Sequence, residues 1–177
     1  ETGVRDRASY VLEQGKVRLV LTAPLGPDGE IADHVRLHGD GVRAIALRVE
    51  DATGAHASAV SRGARSLREP TRVEDEHGIV TYATVATFGD TVHHFVERDE
   101  YGGVHWPGYR EDRRSGGGVG LRFIDHTVGN VELGKMDDWA SFYSEVFGFT
   151  VFRSSTRRIS PPNTRRSAPR SRATRAA

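Results

Sequence analysis

The stretch Phe123-Ile124-Asp125-His126-Thr127-Val128-Gly129-Asn130-Val131, running into residues 136–149, decides how this chain is read. Apolar and polar residues alternate along its first half, which predicts a short strand. Neighbouring strand side chains point to opposite faces, so His126 shares a face with Ile124 and Val128 and turns away from Asp125 and Thr127. On that pattern alone, a histidine between apolar neighbours reads as a core residue. After the strand, Asp137 and Asp138 open a segment in which Trp139, Phe142, Tyr143, Val146 and Phe147 recur at helical spacing. A strand leading into an acidic helix start and an aromatic amphipathic helix is the expectation.

Ile124-Asp125-His126-Thr127-Val128-Gly129-Asn130-Val131, followed by Trp139-x-x-Phe142-Tyr143-x-x-Val146-Phe147-Gly148-Phe149, resembles the opening of the catalytic domain in the 4-hydroxyphenylpyruvate dioxygenase family. That family is a branch of the vicinal-oxygen-chelate superfamily. The resemblance implies that His126 is the first of three iron ligands and that Val128 borders the substrate pocket. Non-haem iron oxygenases hold Fe(II) with two histidines and one carboxylate, leaving positions open for substrate and O₂. The implied reaction decarboxylates an aromatic α-keto acid and hydroxylates its ring, giving homogentisate in tyrosine breakdown. By the same resemblance the second histidine and the glutamate come from parts of the domain beyond residue 152. The chain alone should then bind Fe(II) weakly or not at all and turn nothing over. 4-Hydroxymandelate synthase, a relative with the same substrate and metal, is the alternative that the resemblance leaves open, the dioxygenase being favoured as the more widespread enzyme. The intact family enzyme is expected to be a homo-oligomer.

Outward from that stretch, the sequence predicts a hairpin from residues 8–12 and 17–22 about Gly15, then a polar loop over residues 24–33. A strand over 42–49 leads to capping residues Glu50-Asp51-Ala52-Thr53 and a helix over 52–62. A weak strand signal lies at 71–73, and a second hairpin joins 78–88 to 91–97 about Gly89-Asp90. Strand, helix and three strands make the βαβββ module of the superfamily, so the fold class is α+β. Residues 1–25 resemble the last two strands of a preceding module and 121–150 the first strand and helix of a following one. Superposing residues 42–51 on 122–132 puts Ile45 where His126 stands, so the middle module carries no ligand there. The expected division is an N-terminal domain over 1–109, a linker over 110–120 marked by Ser115-Gly116-Gly117-Gly118, a catalytic-domain opening over 121–152, and a tail over 153–177.

The formal net charge of +1 hides a division. Residues 153–177 hold eight arginines and no acid, leaving 17 basic residues against 24 acidic ones in 1–152. Such a tail is either an arm for nucleic acid or a foreign sequence; it has no aromatic residue for base stacking. Shifted by one base, codons permitted for residues 153–167 can encode KEFDEEDISTEYSAL, which resembles what the dioxygenase family has at this point. The expectation is therefore a frameshift after Phe152 and a disordered tail. There is no cysteine, hence no disulfide, thiolate metal site or cysteine nucleophile. No apolar run is long enough to cross a bilayer, and a soluble cytoplasmic protein is the default expectation.

The other histidines read as structural. His34 and His38 have the spacing of a helix-borne metal pair, yet Gly39 and Gly41 beside them argue for a loop. His93 and His94 are adjacent in a strand and so face opposite ways. Neither Gly39-x-Gly41 nor residues 116–120 has the context of a phosphate loop. A non-enzymatic binding module of the same superfamily could also be built from residues 1–108.

Overall fold

The computed structural model describes residues 5–112, 114 and 116–152. Its elements are β1 (Arg7–Gln14), β2 (Val17–Pro24), α1 (Glu30–His38), β3 (Ala44–Arg48), α2 (Ala52–Ser61), β4 (Ser66–Asp75), β5 (Gly78–Ala86), β6 (Val92–Glu97) and α3 (Met136–Phe147). The predicted helix after residue 51 forms for the predicted reason. The Asp51 side chain accepts a 2.9 Å hydrogen bond from the Gly54 backbone N–H and so satisfies one of the free donors at the start of α2.

From β3 to β6 the chain is a βαβββ unit, and its sheet has the order β3-β6-β5-β4, with β3 parallel to β6 and the remaining neighbours antiparallel. The α+β class and its module are those expected. The register sorts the side chains onto two faces. Leu47, Phe95 and Ala83 stand in one cross-strand row, and Ile45, His93, Val85 and Ser66 in the next. This face meets α2 and α3: Ala52, Ala59, Ala64, Val85, Phe95 and Val146 form one buried cluster, with Leu47, Phe142 and Phe147 against it. Removing that apolar surface from water is the main force joining α3 to the sheet.

On the opposite face the rows are Ala44–Val92–Ala86, Ala46–His94–Thr84–Arg68 and Arg48–Val96–Tyr82–Thr71. A second buried cluster closes one end of this face, formed by Val80, Val96 and Tyr101, with Val73, Tyr82 and Trp106 around it. Asp75 ties it down by accepting from the Tyr101 hydroxyl at 3.0 Å and from the Gly108 N–H at 3.1 Å.

Among the described residues β1 and β2 pair only with each other, in the register Tyr10↔Leu21 and Leu12↔Leu19, and these four apolar residues share one exposed face. Gly15 turns the hairpin at φ +58°.

Three expectations change. Residues 30–38, read as loop, are the helix α1, because Gly39 does not interrupt the helix but ends it: at φ 68° its N–H bonds to the Val35 carbonyl at 2.8 Å. The strand expected through His126 does not form; residues 117–133 carry no ladder. Alternation in the sequence supplies a face, but a strand also needs a partner backbone. β4 is longer than the 71–73 signal, spanning ten residues with two register shifts between Ser66 and Thr71 that accommodate Pro70. The tail over 153–177 and linker residues 113 and 115 lie outside the described residues. Among the described residues no helix is long and apolar enough to cross a membrane.

Candidate functional site

His126 sits in the middle of a crossing segment, residues 117–133, that is fixed at both ends. At the first end the Gln14 side chain accepts from the Leu121 N–H at 2.6 Å, and the Lys16 N–H donates to the Arg122 carbonyl at 2.7 Å. A Cβ on Gly15 would stand 2.5 Å from the Leu121 carbonyl oxygen, so only glycine lets the two backbones meet. At the second end Gly129 lies on Phe88, whose ring a Cβ there would meet at 2.5 Å. Phe88 in turn makes edge contact with Trp139 of α3, centroids 5.9 Å apart.

Between these anchors the imidazole of His126 is 74% exposed, and its Nδ1 lies 2.7 Å from an Asp125 carboxylate oxygen. Val128 is 78% exposed. The alternation that predicts opposite faces for His126 and Asp125 fails because the segment is not a strand. A carboxylate on Nδ1 fixes the ring and leaves Nε2 available, the arrangement that suits a metal-ligating imidazole. Among the described residues, however, no three His, Asp or Glu side chains are placed to hold a metal ion. His126 is thus one donor where an iron centre of this type needs three, and these residues alone do not fit the metal.

The other histidines fall into distinct settings. His93 is buried between β6 and α3, with Nε2 3.0 Å from the Tyr143 hydroxyl and Nδ1 lacking a partner. Burial holds its pKa below the ordinary histidine value. His94, on the other face as expected, is lowered by burial first and then by the charges of Arg43 and Arg68. His105 is lowered to about 4, again by burial first and then by Arg18 and Arg98. His34 and His38 lie side by side on α1, ring centroids 4.7 Å apart and planes tilted by 46°, and His38 Nε2 meets Asp90 at 2.8 Å. With Glu30, Arg43 and Val92 they line an open cleft of about 400 Å³. Reading residues 30–33 as loop hid this grouping. Acids in the first turn of α1 (Glu30, Asp33) and bases in its last (Arg36, His38) were the available signal.

Residues 3–106 match the family model described as "Hydroxyphenylpyruvate dioxygenase, HPPD, N-terminal". The chain belongs to the hydroxyphenylpyruvate dioxygenase family. The 4-hydroxyphenylpyruvate dioxygenase of Dictyostelium discoideum is 40% identical over 162 residues, covering 87% of this chain and 44% of that protein. That of Yarrowia lipolytica is 35% identical over 165 residues, covering 87% and 42%. Among solved structures, a mutant 4-hydroxymandelate synthase from Streptomyces coelicolor superposes with a TM-score of 0.71 at 31% identity, over 87% of this chain and 44% of that one. The chain therefore spans less than half the length of these relatives.

Proposed function

We propose that this chain is part of an Fe(II)- and O₂-dependent 4-hydroxyphenylpyruvate dioxygenase, and that residues 1–152 supply its N-terminal domain and the opening of its catalytic domain. The supporting observation is the 40% identity to the Dictyostelium enzyme across 87% of the chain. In this reading His126 is one iron ligand, Asp125 orients its ring, and Val128 borders the substrate pocket. Fe(II) would be held by His126 together with a histidine and a glutamate from the rest of the catalytic domain, and would there supply the O₂ chemistry of decarboxylation and ring hydroxylation. Residues 110–120 link the two domains, and the protein works in the cytoplasm as a homo-oligomer.

The likeness to 4-hydroxymandelate synthase supports a second reading, in which the same keto acid is converted to 4-hydroxymandelate. One experiment separates them. The gene is sequenced through the codons for 150–177 and several hundred bases beyond, and any continuous family frame is expressed with residues 1–152 and supplied with Fe(II) and 4-hydroxyphenylpyruvate. Homogentisate is the expected product, and the 177-residue chain alone should give none. Hydroxymandelate would establish the second reading. Homogentisate from the 177-residue chain alone, or a frame with no further histidine and glutamate, would overturn the proposed division of the active site.

A further inference from the structure

The face of the four-stranded sheet turned away from α2 and α3 carries a basic row that neither the crossing segment nor the family assignment accounts for. The register places Arg68, Thr84, His94 and Ala46 side by side on β4, β5, β6 and β3. Cross-strand partners project to the same face, and strands lie about 4.8 Å apart, so the Arg68 and His94 backbones are about 10 Å apart. A guanidinium on its long stem and an imidazole can both reach one small group between them.

Three observations describe what that group is. Among the described residues Arg68 makes no ion pair; its guanidinium lies over the Tyr82 ring, 5.5 Å from the centroid. By contrast Arg43 is paired with Glu30, and Arg48 with Asp99. His94 Nδ1 is 2.8 Å from the buried Thr84 hydroxyl, and its Nε2 is not among the buried atoms that lack a partner. If the hydroxyl donates, the ring proton resides on Nε2, which is left to bond a further group. Finally, Ala44, Ala46 and Ala86 stand in and beside the row, so small side chains floor the space between the larger Arg68 and Tyr82 and the sheet edge.

We propose that this row is a binding site for a small monocarboxylate, gripped by the Arg68 guanidinium and the His94 Nε2–H. The charge favours a monoanion over a phosphate dianion. Burial and the neighbouring arginines keep His94 neutral near pH 7, which leaves Arg68 as the one unpaired charge of the row. A planar guanidinium also matches a carboxylate with two parallel hydrogen bonds. The site lies in the N-terminal domain and stands or falls independently of the proposed reaction.

The test is an NMR titration of the ¹⁵N-labelled 177-residue chain at pH 7 with acetate, benzoate and inorganic phosphate, each at constant ionic strength. Saturable shifts of the His94 ring with acetate and benzoate are expected, with phosphate weaker. Arg68→Gln should weaken carboxylate binding roughly tenfold or more, since a hydrogen bond to a charged group is lost. Arg68→Lys, which keeps the charge without the fork, should lose less, and Arg36→Gln on the surface of α1 should change nothing. Arg68→Lys also serves if Arg68→Gln loses its folded amide spectrum. Shifts that rise linearly without saturation, an unchanged affinity in both Arg68 variants, or tighter binding of phosphate than of acetate would overturn the proposal.

Discussion

The segment holding His126 and the strand β6 holding His93 and His94 have comparable apolar content, yet one is an exposed crossing and the other the centre of a sheet. Val92, Phe95 and Val96 are buried, whereas Phe123, Ile124 and Val128 are at least half exposed. β6 has a hydrogen-bonded neighbour on each side, β3 and β5, and a helical layer on one face. The crossing segment has two backbone anchors near residue 121 and one ring under Gly129. An apolar pattern thus sets what a segment can bury; neighbours decide whether it does.

The sharpest way to test the contrast is to truncate one side chain in each region. Phe95→Ala should lower stability by about 3–5 kcal/mol, because it opens a cavity between the sheet and α3 that the surrounding residues fill only in part. Urea denaturation reads the loss; a cost below about 1 kcal/mol would mean that α3 is not docked as described.

Acid should act next most strongly. His93, His94 and His105 all have folded-state pKa values below the unfolded value, His105 reaching about 4. The unfolded chain takes up protons below about pH 6.5 that the folded chain refuses, so their contribution is fully present above that pH. Stability should decline as pH falls from about 6.5 toward 4. Urea midpoints measured between pH 7.5 and 4.5 check the sign, and a rise toward acid would contradict the burial of all three. Tyr143→Phe should cost about 1–3 kcal/mol, because His93 would be left buried with no hydrogen-bond partner on either nitrogen. Its effect should be smaller in a His93→Phe background, where nothing polar is stranded.

Val128→Ala should change stability by less than about 0.5 kcal/mol, as expected for an exposed side chain away from any packed element. A loss comparable to that of Phe95→Ala would erase the distinction between the two regions.

Much of the sheet was legible because each of its turns and caps is written locally. Gly15, Asp51 and the Gly89-Asp90 pair mark the ends of elements whose periodicity is unambiguous. The helix α1 was hidden because Gly39 serves equally as a loop residue and a helix end, and only its positive φ decides. The expectation of a ligand role for His126 rests on resemblance, while its pairing with Asp125 did not follow from the alternation, which presumed a strand. The Arg68–His94 row was not legible at all. It depends on register across three strands, including the irregular pairing of β4, and no local pattern encodes that.

The close approach at the tip of the first hairpin has a consequence for how this family's sequences can drift. Any side chain at position 15 would enter the space held by the backbone at 121–122, so the residue at the tip and the route taken by a segment more than a hundred positions later are a single choice. Lineages that place a larger residue at the tip must reroute the distant segment. Across an aligned set, glycine at that turn and the length of chain between it and the histidine should be inherited together, a linkage visible without any structure.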